Sequence, residues 1–291
     1  MSTIKITLLS ILLLTGTHVF SQSTEPVFMK WKLKPGETIA YKTIMQEDTA
    51  IHNGFSMGNM FKGAVGDSVS ATMNEVFKRL SLEASQNSYT TYLKERVNNV
   101  IGIEMYMKQN KQDTNKDTAK AGSDEQKFRD LMSHLSSGVT LRGAIYEDGG
   151  IESFYLNSGQ RNLIAMLFGL PGKPVKVGDS WSLGINFISL DQNFICDSSY
   201  NKDQVRVVNI AYNHNEHIVT LKYDITESVK GNITSPFDNK PVVTTMNFSY
   251  QGLADFSIEK GRWVNYNCIL SNMSTGIMSA QSVQRISLIG E

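Results

Sequence analysis

The chain has 291 residues and a formal net charge of zero, with 28 basic and 28 acidic side chains. Nucleic-acid binding depends on clustered Lys and Arg side chains that neutralise phosphates, and the sequence contains no such cluster. It also lacks a polybasic segment of the kind that binds anionic membrane surfaces. Neither a nucleic acid nor an anionic membrane surface is therefore an expected partner.

The first 21 residues have the pattern of a secretory signal peptide. Lys5 forms a short basic start, an apolar run follows, and Val19 and Ser21 place small residues before the expected cleavage site. The apolar run is too short to span a bilayer, and no stable membrane insertion is expected after its removal. No cysteine near the site offers a lipid anchor. The sequence therefore predicts export to the periplasm or beyond, with residues 22–291 as one mature domain.

Alternating apolar and polar side chains dominate the mature chain. In the segment Val242–Gln251 the even-numbered residues are mostly apolar and the odd-numbered ones mostly polar. The same period of two recurs in Val139–Tyr146 and Val219–Ile225. This pattern is typical of an antiparallel sheet with one buried and one solvated face.

Tight turns rich in Gly, Asn and Asp join consecutive strands of this predicted sheet. The predicted hairpins are Val139–Tyr146 with Ile151–Leu156, Val205–Tyr212 with His217–Ile225, and Leu253–Ile258 with Trp263–Leu270. Sequence neighbours are therefore expected to pair, giving a meander of about ten strands without crossover helices.

Two segments have helical periodicity. The first runs from the capping box at Ser123 to Gly138, and the second begins near Ser158 and ends at Gly169. The polar segment Gln109–Gly122 is predicted to be a mobile surface loop that leads into the first helix. The segment Asn53–Gly66 has no clear period and supports no assignment.

The two cysteines of the mature chain, Cys196 and Cys268, leave two alternatives open. Export permits a disulfide between them, but the sequence does not show whether they are adjacent. Cys268 is in phase with Tyr266 and Leu270 on the apolar face of a predicted strand. It is equally compatible with a buried free thiol that packs as a small apolar side chain.

No local motif predicts a catalytic, metal or cofactor site. Gly178-Asp179-Ser180 resembles the start of the motif in GDSL-type esterases, but no histidine follows His217 to activate Ser180. A turn that opens a strand is the favoured interpretation. His214 and His217 flank a predicted turn and lack the further ligands that a zinc site needs. Carboxylates brought together only by folding would leave no such motif, so a hydrolase stays an alternative.

Three segments together resemble a family of uncharacterised secreted proteins and lipoproteins of Gram-negative bacteria, known as a domain of unknown function. They are Trp31–Glu37, Leu170–Trp181 and Ala254–Gly261. The resemblance extends over nearly the whole mature chain and implies an exported β-rich fold, but it carries no catalytic residues. Many members are lipoproteins, and this sequence lacks their anchor cysteine.

The expected fold is mainly β. A strongly curved antiparallel sheet should form an open half-barrel, similar to those of periplasmic lipoprotein carriers, with the two helices packed on its concave side. Two short helices cannot cover ten strands, so an apolar groove should remain between helix and sheet. Its expected lining is Leu163, Leu167, Phe168, Tyr250 and Phe256.

These features predict a non-enzymatic envelope protein that binds an apolar small molecule or a partner protein. Two alternatives remain open. One is a hydrolase whose carboxylates are assembled by the fold, and the other is a structural or assembly protein without a small ligand.

Overall fold

The computed structural model describes residues 25–47, 88–95, 99–108, 139–155, 158–188, 193–213, 215–235, 239–276 and 279–291. The predicted signal peptide, the loop Gln109–Gly122, the helix Ser123–Gly138 and the segment Asn53–Gly66 lie outside these ranges. Of the two predicted helices, only the second therefore falls on described residues.

The described residues form one antiparallel sheet of eleven strands and a single α-helix, which confirms the mainly β prediction. The elements are β1 Thr38–Glu47, β2 Ser88–Glu95, β3 Val100–Lys108, β4 Val139–Tyr146, β5 Ile151–Phe154, α1 Ser158–Phe168, β6 Ser180–Trp181, β7 Phe194–Asn213, β8 Glu216–Thr234, β9 Pro241–Ser257, β10 Arg262–Thr275 and β11 Ala280–Gly290. The second predicted helix is present as α1.

The strand order is β5-β4-β3-β2-β1-β11-β10-β9-β8-β7-β6, so β5 and β6 are the two edges of an open sheet. All three predicted hairpins are present, as β4 with β5, β7 with β8 and β9 with β10. The pairing of β1 with β11 joins the two halves of the chain in the middle of the sheet. The helix α1 lies in the chain segment that connects the edge strand β5 to the edge strand β6.

The core lies between the sheet and α1 and is rich in aromatic side chains. Trp31, from the segment before β1, packs edge-to-face against Phe168, Phe256 and Trp263, with ring centroids 5.4–5.7 Å apart. All four side chains are buried. Such edge contacts add a favourable electrostatic component to the burial of large apolar surfaces.

The C-terminal end of α1 is buried, and its carbonyl groups bind side chains from distant parts of the chain. The last carbonyls of a helix have no partner within the helix and carry the negative end of its dipole. Here three aromatic side chains donate to them. The bonds run from the Tyr266 hydroxyl to Met166 O (2.7 Å), from Trp263 Nε1 to Leu167 O (2.7 Å) and from Trp31 Nε1 to Phe168 O (2.9 Å).

The segment before β1 also joins turns from the two halves of the sheet. The amide of Trp31 donates to Glu147 O (2.7 Å) in the β4–β5 turn, and the amide of Lys32 donates to Gly261 O (3.1 Å) in the β9–β10 turn. Gly261 has a φ of 60°, and any Cβ there would lie 2.5 Å from Lys32. Only glycine permits this close approach of the two backbones.

We predict that Tyr266→Phe destabilises the protein by about 1–3 kcal/mol, because it leaves the buried Met166 carbonyl without a donor. Tyr155→Phe is the matched control, since Tyr155 is 61% exposed. Urea unfolding followed by circular dichroism measures both free energies of unfolding. Equal stability of the two variants would contradict this role of the Tyr266 hydroxyl.

Glu37 ties the start of β1 to the start of β10. Its carboxylate accepts the amide hydrogen of Lys34 (2.8 Å) and a hydrogen bond from Arg262 Nη2 (2.9 Å). The Lys34 amide, followed by the Arg262 guanidinium, lowers the pKa of Glu37 below its ordinary value of 4.5. The ionised form is therefore favoured by folding.

A glutamate with a lowered folded-state pKa contributes stability that is present above its unfolded pKa and is lost as pH falls through the folded value. We expect wild type to exceed Glu37→Gln in stability at pH 7, and this difference to shrink progressively below about pH 4.5. Denaturant midpoints measured from pH 7 to pH 3 check this. A difference that stays constant over the range would show that the charge of Glu37 contributes nothing.

Candidate functional site

The sheet face that bears Tyr250 is covered by α1, and we call it the inner face. On β7–β11 the strand register continues this face beyond the aromatic core as three cross-strand rows, which we call the inner rows. They are Asp203-Ile225-Tyr250-Leu270-Gln284, Asn201-Glu227-Phe248-Asn272-Ser282 and Ser199-Val229-Met246-Ser274-Ala280.

Burial decreases along β9 from Tyr250 to Phe248 and Met246, whereas Val229 on β8 is buried in the last of the three rows. Tyr250 is completely buried, whereas Leu270, Phe248 and Met246 are half-buried. Phe187, from the segment after β6, stacks on Phe248 with ring centroids 5.7 Å apart and planes 14° apart. The apolar surface of the core therefore continues into side chains that remain partly accessible.

The inner rows divide into two strips of different chemistry. On β8 and β9 they present Val229, Phe248 and Met246, which pack in a second apolar cluster with Phe187. We call these four residues the apolar strip. On β10 and β11 four of the six positions bear uncharged polar side chains, which we call the polar strip. It consists of Asn272, Ser274, Ser282 and Gln284.

Two carboxylates point into the inner rows and hold the segment that follows β6. Asp203 accepts hydrogen bonds from Ser182 Oγ (2.7 Å), Leu183 N (3.2 Å) and Ile185 N (2.9 Å). Glu227 Oε2 accepts the amide hydrogens of Phe187 (2.6 Å) and Ile188 (3.2 Å). Backbone amides therefore compensate the partial desolvation of these two half-buried side chains.

Buried hydroxyl and thiol groups lie at Tyr250 and in the neighbouring rows of the same face, towards the aromatic core. The hydroxyls of Tyr250 and Tyr266 are hydrogen-bonded to each other, and the ring of Tyr223 packs against both. Burial raises the pKa of all three phenols well above 10.0, and raises the pKa of Cys268 to about 12. At neutral pH these groups are uncharged, so they offer hydrogen bonds but no anion.

Of the five residues predicted to line a groove, Tyr250 and Phe256 lie on the inner face, and Leu163, Leu167 and Phe168 belong to α1. Leu167, Phe168, Tyr250 and Phe256 are completely buried, and Leu163 is a half-buried neighbour of the same core. The accessible residues of the face, Phe248 and Met246, lie farther along β9. The sequence shows that they are in phase with Tyr250 on one face of the strand, but it does not show how deeply each of these side chains is buried. Glu227 was missed although it interrupts the apolar positions of β8, between Ile225 and Val229.

A cleft of about 310 Å³ does lie between α1 and the edge strand β5. Its lining includes Arg161 and Ala165 of the helix and Ile151 and Phe154 at the sheet edge. Arg161 Nη1 donates to Gly184 O (2.5 Å), which ties the segment after β6 to the helix. None of the five predicted groove residues lines this cleft.

The two cysteines are free thiols in the structure, with Cys196 exposed on β7 and Cys268 buried on β10. The strands β8 and β9 lie between them. Ser180 begins β6, where its hydroxyl accepts a hydrogen bond from Gln204 Nε2 (3.3 Å). His217 Nδ1 contacts Glu259 Oε1 (2.7 Å), and His214 lies outside the described residues.

Among the residues that the structure describes, no three His, Cys, Asp or Glu side chains are grouped in a way that would hold a metal ion. Within the same ranges, no helix has the length and apolar composition needed to cross a membrane. Neither family models, curated proteins nor solved structures gave a match to this chain. The site must therefore be interpreted from its own chemistry.

We expect one thiol per native chain to react with Ellman's reagent at pH 8, because Cys196 is exposed while Cys268 is buried with a raised pKa. Unfolding in guanidinium without reductant should release the second. Cys196→Ser should abolish only the native reaction. If no thiol reacted before or after unfolding, the two cysteines would be bonded to each other.

Proposed function

We propose that this chain is an exported, non-enzymatic binding protein that holds an apolar ligand on the inner rows of an open half-barrel. The observation that carries the proposal is the decrease in burial from Tyr250 to Phe248 and Met246 on one continuous apolar face. Ligand sites of proteins are lined predominantly by apolar and aromatic side chains with a few polar groups. Export rests on the signal-peptide pattern of residues 1–21.

Contacts of α1 support the strong curvature that a half-barrel requires. The helix contacts β4 and β5 near one edge of the sheet, and its carbonyls bind Trp263 and Tyr266 of β10. In the strand order, β10 stands five positions from β4. In a flat sheet that separation would be about 24 Å, at roughly 4.8 Å per strand. An 11-residue helix is only about 16 Å long and 10–12 Å wide, so contacts with both regions support a sheet that bends towards it.

The hydrolase alternative has less support at this site. Glycoside hydrolysis needs one carboxyl group as proton donor and a second as base or nucleophile, both free to face the substrate. Asp203 and Glu227 instead accept hydrogen bonds from the protein's own backbone amides. We therefore assign these two carboxylates a structural role, namely holding the segment Ser182–Ile188.

The proposal is tested by titrating mature, delipidated protein with the uncharged fluorescent probe N-phenyl-1-naphthylamine. Phe248 is already half-buried, so Phe248→Ala removes at most about 1.5 kcal/mol of apolar contact with the probe, and the Kd should rise by up to roughly tenfold. Leu253→Ala is the matched control, because Leu253 lies on the outer face of the same strand and is 49% exposed. Its Kd should be unchanged.

Circular dichroism of both variants verifies that they are folded. Absence of saturable binding by the wild type would contradict the proposed function. An equal effect of Phe248→Ala and Leu253→Ala would place the probe elsewhere than on the inner rows.

A further inference from the structure

The inner rows carry an unusual distribution of charge. Their fifteen positions include two carboxylates, Asp203 and Glu227, and no basic side chain. The basic residues that flank the rows, Lys202, Lys230 and Arg285, occupy the intervening positions and therefore belong to the outer face. The ammonium group of Lys202 is paired there with Asp224.

This distribution argues against an anionic ligand. A negative charge at Asn272 would lie two strands from Glu227, roughly 10 Å away, and would still be repelled in a partly buried site, where the effective dielectric constant is roughly 20. No basic side chain of the inner rows offsets that repulsion. A fatty-acid anion is therefore poorly matched to a surface that is otherwise suited to its alkyl chain.

The polar strip supplies a second, independent observation. Asn272 Oδ1 is shielded from solvent, yet it has no hydrogen-bond partner among the described residues. A buried carbonyl oxygen without a donor costs free energy that a suitable ligand group would recover. This acceptor lies directly across the strand register from Phe248 of the apolar strip.

We propose that the ligand is an uncharged amphiphile whose hydroxyl or amide group donates to Asn272 Oδ1 on the polar strip. This inference rests on the proposed function. Its hydrocarbon part lies against Phe248, Met246 and Phe187. Asp203 and Glu227 disfavour the corresponding carboxylates. The site thus discriminates by head-group charge and by the presence of a hydrogen-bond donor, while the chain is held by apolar contact alone.

Three ligands with the same oleyl chain separate these effects. Monooleoylglycerol is uncharged and has donors, methyl oleate is uncharged without donors, and oleate is anionic at pH 8. Displacement of N-phenyl-1-naphthylamine from the mature protein gives their relative affinities. We expect monooleoylglycerol to bind about three- to tenfold more tightly than methyl oleate, and oleate to bind at least about tenfold more weakly than methyl oleate.

Variants assign these differences to residues. Asn272→Ala should remove the advantage of monooleoylglycerol over methyl oleate and leave the affinity for methyl oleate unchanged. Glu227→Gln keeps an oxygen to accept the Phe187 amide but loses the charge, so binding of oleate alone should strengthen. Asp224→Asn, on the outer face of the same strand, is the matched control and should leave all three affinities unchanged.

The outcomes distinguish this inference from the function on which it rests. If none of the three ligands displaces the probe, the proposed function and this inference both fail. If oleate binds as tightly as methyl oleate, or if Asn272→Ala leaves the ligand preference intact, the inference is wrong while the binding function stands.

Discussion

The structure depends on the hydrogen bonds that the buried C-terminal end of α1 accepts from three aromatic side chains. Unpartnered carbonyls at this point would make burial of the helix end unfavourable. Trp31, Trp263 and Tyr266 supply the donors from the segment before β1 and from β10. Because α1 also contacts β4 and β5, the same bonds fix the two halves of the sheet relative to each other.

This attachment explains why the inner face has two regions with different properties. Close to the end of α1, the large rings of Trp31, Phe168 and Phe256 fill the space completely. Farther along β8–β11 the helix no longer covers the sheet, and the cover comes from the segment held by Asp203 and Glu227. A packed region therefore provides stability, and the adjoining rows, which include half-buried side chains, form the proposed ligand site.

Much of this fold could be predicted from the sequence because its information is local. The alternation in Val242–Gln251 identified the inner face of β9, and the turn at residues 147–150 identified the β4–β5 hairpin. The predicted end of the second helix at Gly169 is confirmed, because α1 ends at Phe168 and the amide of Gly169 donates to Ala165 O. The pairing of β1 with β11 and the donation by Trp31 connect residues far apart in sequence, and no local pattern encodes them. The predicted groove residues lie in the core between α1 and the sheet, and their burial depth depends on which parts of the chain cover that core.

The most direct test of the account is a crystal structure of the mature protein grown with monooleoylglycerol. The account predicts electron density for the ligand along Phe248 and Met246, with a glycerol hydroxyl within hydrogen-bond distance of Asn272. It also predicts that Trp31, Trp263 and Tyr266 still donate to the last carbonyl groups of α1. Inner rows filled entirely by the protein's own side chains, or a ligand bound only at another surface, would contradict it.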